Sequence, residues 1–301
     1  MHLARSGSKS NGRPAVRLRW RGRARTPAGG VGPSARVDDD DRAATFEPPS
    51  PRHRNEVELM YDLTAFGLRD MAACGSALRK CGSNARCMEE AAKEIVAYLY
   101  DNLGDATTGE RSCVLVRFFK THAYGDLAED QRHSADALLG AQPRSPAMKC
   151  LTLVATAGSR AEWNDRRQSA RHKAIPLPSA TMVEQIPMIS QLLNQLGLDV
   201  AAVVGSEGAP LMLDAEQRTY NVFHVPDALG SPYIPAQEDF VVPMSIRSVL
   251  GFGGILPLGD FFTVILFSRA EIPQATTALF KPLALCTKAA VLPFVDSTVF
   301  S

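Results

Sequence analysis

The sequence predicts an α+β fold: a sheet of five or six strands with helices at both ends and one longer helix inserted midway. Three observations carry this reading. Ser248–Ser268, SVLGFGGILPLGDFFTVILFS, reads as two apolar strands around a tight Pro257–Leu258–Gly259–Asp260 turn. Cys113–Phe119 (CVLVRFF) and Cys150–Thr156 (CLTLVAT) are further apolar runs of strand length. Helical spacing of apolar residues dominates both flanks, with Pro273–Asp296 as a closing helix.

Along the chain, Glu56–Met71 places Leu59, Leu63, Phe66 and Met71 near one helical stripe. Gly75 and Gly82 make Cys74–Asn84 a break. Ser83 or Asn84 then caps a second helix, in which Met88, Ala91, Ala92, Ile95, Leu99 and Leu103 recur at helical spacing. After the first strand, Ala128–Pro146 is polar, with a short helix around Ala135–Leu139. Met182–Leu196 follows Thr181 as a cap, and Pro187 bends this helix or shifts its start. Val200–Val204 reads as a short strand, and Leu211–Leu213 and Thr219–Val225 extend the sheet on either side of a turn. A Pro-marked loop, Pro226–Pro235, follows, and Phe240–Val242 leads into the final hairpin. Helices would cover one sheet face, with long loops and a cavity on the other.

A chain of 301 residues buries a sizeable core. Its formal net charge of +1 hides an asymmetry, because residues 1–36 carry nine Arg or Lys and no acid. Residues 37–301 therefore hold 24 basic against 32 acidic side chains. Residues 1–55 read as a disordered basic arm or a mis-assigned N-terminal extension, Met60 being a later start. Such an arm is the one place where charge alone would bind nucleic acid or anionic lipid. Residues 56–301 read as a single domain. The arm lacks the apolar core of a secretory signal, and Leu283–Val295 is too short for a membrane span and contains Lys288. Six cysteines in a chain this long do not imply a disulfide scaffold, which places the expected setting in a reducing cytoplasm.

The strings VRFFKTHAYGDL (Val116–Leu127), AEWNDRR (Ala161–Arg167), HKAIPLPS (His172–Ser179), YNVFHVPDALGSPYIPAQ (Tyr220–Gln237) and SVLGFGGILP (Ser248–Pro257) carry a resemblance. With them the chain resembles the GAF-like sensory domains found upstream of histidine kinase or PAS modules in bacterial signalling proteins. The resemblance covers roughly Leu59–Pro293. It implies an antiparallel sheet with N- and C-terminal helices packed on one face and a loop-lined ligand cavity on the other. It also implies signalling through paired terminal helices, as a homodimer or to a separate effector. No effector module follows the closing helix within this sequence.

Candidate ligand-binding residues lie in four places. Trp163, Asn164, Arg166 and Arg167, with Arg171, His172 and Lys173, combine an aromatic ring with several cations. Arginine grips carboxylate or phosphate through two parallel hydrogen bonds, and Trp163 would cover an apolar ligand part. A loop tied down by Asp165–Arg pairing under a packed Trp163 explains the same residues. In YNVFHVP, strand alternation puts Tyr220, Val222 and His224 on one face. A strand-ending His224 that simply bonds a loop carbonyl is the plainer account. Tyr233 sits in a loop stiffened by Pro232 and Pro235, and Arg117, Lys120, His122 and Tyr124 surround a strand exit where most charges read as surface.

Cys74, Cys81 and Cys87 lack the close pairing of zinc ligands, and ordinary packing accounts for them. GFGGILPLGD is no dinucleotide fingerprint; its glycines suit close strand packing or a bulge. No GxxxxGKS/T, HExxH or GxSxG motif occurs. The expected function is a noncatalytic cytoplasmic sensor that binds a small molecule or a partner, with cofactor unspecified. Two alternatives stand beside it: an enzyme using His172, His224 or Asp165 in acid–base work, and a structural interaction domain.

Overall fold

The computed structural model describes residues 60–106, 108–170, 172–205, 221–296 and 299–300. The basic arm, Leu59, Arg171, Leu211–Leu213 and Tyr220 lie outside the described residues. The elements are α1 (Leu68–Lys80), α2 (Met88–Asn102), β1 (Cys113–Ala123), α3 (Glu129–Leu139), β2 (Lys149–Gly158) and β3 (Ala174–Leu177). They continue as α4 (Ala180–Glu184), α5 (Pro187–Leu196), α6 (Val200–Val204), β4 (Val222–Val225), β5 (Ser248–Ile255) and β6 (Phe261–Ser268). The closing helical run contains α7 (Gln274–Thr277) and α8 (Lys281–Val291).

The six strands form one sheet in the order β3-β2-β1-β6-β5-β4, and every neighbouring pair is antiparallel. The expected α+β class and antiparallel sheet are what the chain forms. The final hairpin pairs Ser248 with Ser268 through to Ile255 with Phe261, around the turn that the sequence predicted. All eight residues of each hairpin strand are buried, so these runs are apolar throughout rather than alternating. Both sheet faces are covered. On one, Leu78 of α1, Ile95 and Leu99 of α2 and Leu283 of α8 pack on Phe118, Phe252 and Phe262. Each such side chain contributes roughly 1.5–3 kcal/mol on leaving water.

The opposite face carries helices as well as loops: Ile189, Leu192, Leu193 and Leu196 of α5 pack with Phe223, Val225 and Ile265. The helical run Gln274–Phe294 has the length and apolarity of a membrane span by composition, and half of it is buried against the domain's own core. Phe280, Leu283, Ala284 and Val291 are among the residues buried there.

Several local expectations are corrected. The first helix starts at Leu68 rather than Glu56, because Tyr61 bridges Leu103 and Asp62 folds a turn by accepting from the Thr64 amide. Cys74 lies inside α1, and the break falls at residues 81–86. The helix expected over Met182–Leu196 is two: Ser179, not Thr181, caps α4, and α5 restarts at Pro187, where a missing N–H costs nothing. Val200–Val204 is helical, because the Asp199 carboxylate accepts from the Ala201 amide and caps it. Phe240 lies in the single helical turn Gln237–Val241. β3, a four-residue strand with no alternation to signal it, carries a Pro176 that is tolerated because the strand is at the sheet edge.

Candidate functional site

Three strand ends meet at one corner of the sheet. Beyond a register shift between Phe118 and Phe119 in β1, strand alternation puts Lys120 and His122 on the same side, opposite Thr152 and Cys150 of β2. Lys149 opens β2 beside Ala123, and Asp260 immediately precedes β6. The hairpin turn fixes Asp260 from behind, since its carbonyl accepts from the Leu256 amide at 2.7 Å. Leu258 takes a left-handed φ of 73° to close that turn.

Asp260 gathers the corner. Its Oδ2 accepts from Lys120 Nζ at 2.5 Å, and its Oδ1 accepts from Lys149 Nζ at 3.0 Å and Thr121 Oγ1 at 3.3 Å. Burial alone would raise the Asp260 carboxyl, but the two ammonium groups outweigh it and hold the pKa below the usual carboxylate range. Lys120 is buried, which lowers its pKa, and Asp260 opposes that fall. Its Nζ also donates to the Thr121 carbonyl at 3.0 Å.

The His122 ring lies beside them with Nδ1 facing the Lys120 carbonyl at 3.3 Å. A carbonyl only accepts, so Nδ1 is the donor. Burial, reinforced by the Lys120 charge, pushes the imidazole down to about 3, so it is neutral at ordinary pH. Its Nε2 is buried and has no hydrogen-bond partner among the described residues. These groups, with Asp126 and Phe300, line a cleft of about 390 Å³.

The segment after the last helix forms one wall of this cleft. The Phe300 ring centre stands 5.3 Å from that of His122, and the Arg166 guanidinium lies 4.3 Å over the same phenyl ring. The Val299 carbonyl accepts from the Glu89 amide at 2.8 Å, at the start of α2. Arg166 in turn donates to Glu89 Oε2 at 2.9 Å, and Lys93 reaches Glu89 Oε1 at 2.8 Å.

The other residues singled out in the sequence are dispersed. Arg117 donates to Ser169 Oγ at 3.1 Å, and burial lowers its pKa to about 10. Trp163 packs edge-on against Phe240, with Arg160 over its ring. Asn164 accepts from the Gly158 amide and donates to the Gly158 carbonyl, both at 3.0 Å, which ties the end of β2. Arg167 is exposed, and His172 adopts a left-handed φ of 62° in the loop before β3. His224 is buried on β4 with Nδ1 at 3.0 Å from Gln274 Oε1, under α7. Tyr233 is exposed, and its loop is held by Gln237 Nε2 donating to the Ala228 and Ile234 carbonyls.

β4 lies four strand spacings from β2, or about 19 Å across the sheet. His224 therefore stands on a different part of the sheet from Asp165 and His172, and the acid–base trio does not form one cluster. Among the described residues no three His, Cys, Asp or Glu side chains gather as a metal site. Burial pushes the Cys74 thiol up and Cys81 to about 11. A larger cleft of about 530 Å³ near Tyr100 and Arg269 has its cations occupied: Arg111 pairs with Asp101, and Arg269 Nε donates to the Met244 carbonyl.

The sequence predicts that most charges at the β1 exit lie on the surface. Lys120 is instead buried, and Lys149 and Asp260, which no sequence motif marks, complete the corner with it. The signal within reach was a lysine two residues from a histidine at the end of an apolar strand, with an acid opening the strand that pairs beside it.

No protein-family model matches the chain, and no curated protein sequence matches it. Among solved structures, it is similar to the chromophore-binding domain of the bacteriophytochrome RpBphP3 from R. palustris. The identity is 10% and the TM-score 0.32, over 75% of this chain and 63% of that one. The chain thus spans less than two thirds of that relative. At this level nothing passes from one protein to the other residue by residue.

Proposed function

We propose that this chain is a GAF-like sensory or regulatory domain in which a small molecule enters the Lys120–His122–Asp260 cleft and acts on the segment that follows α8. One observation carries the reading: Phe300, just beyond the last helix, is itself a wall of the cleft. A ligand that fills the cleft presses on that segment, and through the Val299–Glu89 hydrogen bond on the start of α2. The ligand then binds the state with Phe300 displaced more tightly than the state with Phe300 docked, the differential affinity that coupling requires.

Arg166 takes part as the platform under Phe300, and the cytoplasm is the expected setting. The output would pass through α1, α2 and α8 to a second copy or a separate effector. Leu285 and Leu292, both exposed and two helical turns apart, offer the contact stripe.

Hydrogen exchange of the full chain, with and without a ligand found by thermal-shift screening, tests the reading. Faster exchange at residues 281–300 and at the start of α2 is the expected result. A ligand that binds the cleft and leaves those amides and the oligomeric mass unchanged would sink it.

A further inference from the structure

We infer that the cleft takes a small hydroxycarboxylate, with the carboxylate on Lys120 and Lys149 and the hydroxyl donating to His122 Nε2. The inference rests on the reading of the cleft as a ligand site and adds its chemistry.

The donor and acceptor inventory leads there. An ammonium group has three N–H donors. Lys120 uses one on Asp260 and one on the Thr121 carbonyl, and Lys149 uses one on Asp260. Three donors remain for a ligand, while both Asp260 oxygens are engaged. The lysines thus call for an acceptor-rich group, and a carboxylate meets two of those donors at once.

His122 calls for the opposite. With its proton on Nδ1, facing a carbonyl, Nε2 presents a lone pair that is buried and unmet. Such an acceptor is costly to leave without a donor. Ammonium donors and an imidazole acceptor in one cleft therefore select a molecule with an anionic acceptor and an O–H donor close together.

Charge narrows the class further. Lys120 and Lys149 face Asp260 within the cleft and Asp126 at its edge, and His122 is neutral, so the fixed charges balance. A cleft whose fixed charges already balance opposes the two negative charges of a phosphate monoester more than the one of a carboxylate, which the free lysine donors can meet. The volume of about 390 Å³ holds a small hydroxycarboxylate with room to spare, so the donors and charges and not the size set the class.

The test is calorimetric titration of the full chain with lactate, glycerate, propionate and glycerol phosphate at low salt. Lactate or glycerate should bind about tenfold more tightly than propionate, which lacks the hydroxyl. His122→Phe should abolish that preference while keeping carboxylate binding, and His122→Gln, which retains an acceptor, should restore part of it. Lys149→Gln should weaken both carboxylates alike, and circular dichroism checks that each variant is folded. Equal binding of lactate and propionate, tighter binding of glycerol phosphate, or no binding of any of the four would each overturn the inference. The sensory reading is separate: it falls only if a ligand of any class occupies the cleft and leaves exchange at residues 281–300 and at the start of α2, and the oligomeric mass, unchanged.

Discussion

Arg166 and Glu89 pair at 2.9 Å with both side chains buried, tying the connection between β2 and β3 to the first turn of α2. Removing one member of such a pair strands the other charge without water. We expect Glu89→Gln to destabilise the fold by about 3–5 kcal/mol, measured by urea unfolding. A loss below about 1 kcal/mol would show that water reaches the stranded Arg166 guanidinium.

The same pair makes the fold sensitive to acid. Burial alone would raise the Glu89 carboxyl, but Arg166 and Lys93 outweigh it and bring it to about 2 from an ordinary 4.5. A carboxylate depressed in the folded state adds stability above its unfolded pKa and loses it as pH falls. Wild-type stability should decline between about pH 4.5 and pH 2, and the Glu89→Gln variant should show a flatter profile over that window.

Asp260→Asn leaves Lys120 buried without its counter-charge. Its pKa, already lowered by burial, should fall further. Because the unfolded chain then binds the proton more tightly, the variant should gain stability between pH 7 and pH 10 relative to wild type. Urea melts at the two pH values decide it; an unchanged difference would mean that the Thr121 carbonyl and Asp126 suffice.

Phe300→Ala removes the ring beside His122 and the platform contact of Arg166, the latter worth about 0.5–2 kcal/mol. With less burial, the imidazole pKa should climb from about 3 toward its ordinary 6.5, read from ring nitrogen shifts by NMR. A histidine that stays neutral down to pH 4 in the variant would show that the strands, and not Phe300, shield it.

In the hairpin, a methyl group at Gly253 would sit 2.1 Å from the Phe262 carbonyl oxygen and 2.8 Å from Thr263 Cα. Both are backbone atoms and cannot rotate away. Gly253→Ala should cost about 3 kcal/mol by overpacking, against less for Gly251→Ala, whose nearest neighbour is the Phe223 side chain at 3.2 Å. Thermal unfolding of the two variants side by side makes the comparison.

Much of the architecture was legible because apolar runs and helical periodicity are local signals. The hairpin at Ser248–Ser268, the strands at Cys113 and Cys150, α2 and the closing helix all follow from them. Elements decided by one polar contact were not legible. The Asp199 carboxylate turned an apparent strand into α6, and the Tyr61–Leu103 bridge held residues 60–66 out of a helix. The candidate site was the least legible part. Lys120, Lys149 and Asp260 come from β1, β2 and the hairpin turn, and only the strand order brings their charges within 3.0 Å. The aromatic and basic cluster around Trp163 was visible precursor material of a different kind: Asn164 and Arg166 fasten a loop to its neighbours.

The strand order has a further consequence for how the molecule is made. β1 is central, yet its second neighbour is β6: the Phe261 amide donates to Thr121 Oγ1 at 2.9 Å across a separation of 140 residues. While the ribosome is still translating the region between them, β1 has β2 on one side and an open apolar edge on the other. Pairings this distant form slowly, and such an edge invites association with other nascent chains. Demand for chaperones should therefore peak before β6 emerges, and stop-codon fragments ending ahead of Phe261 should be insoluble even where every upstream element can form.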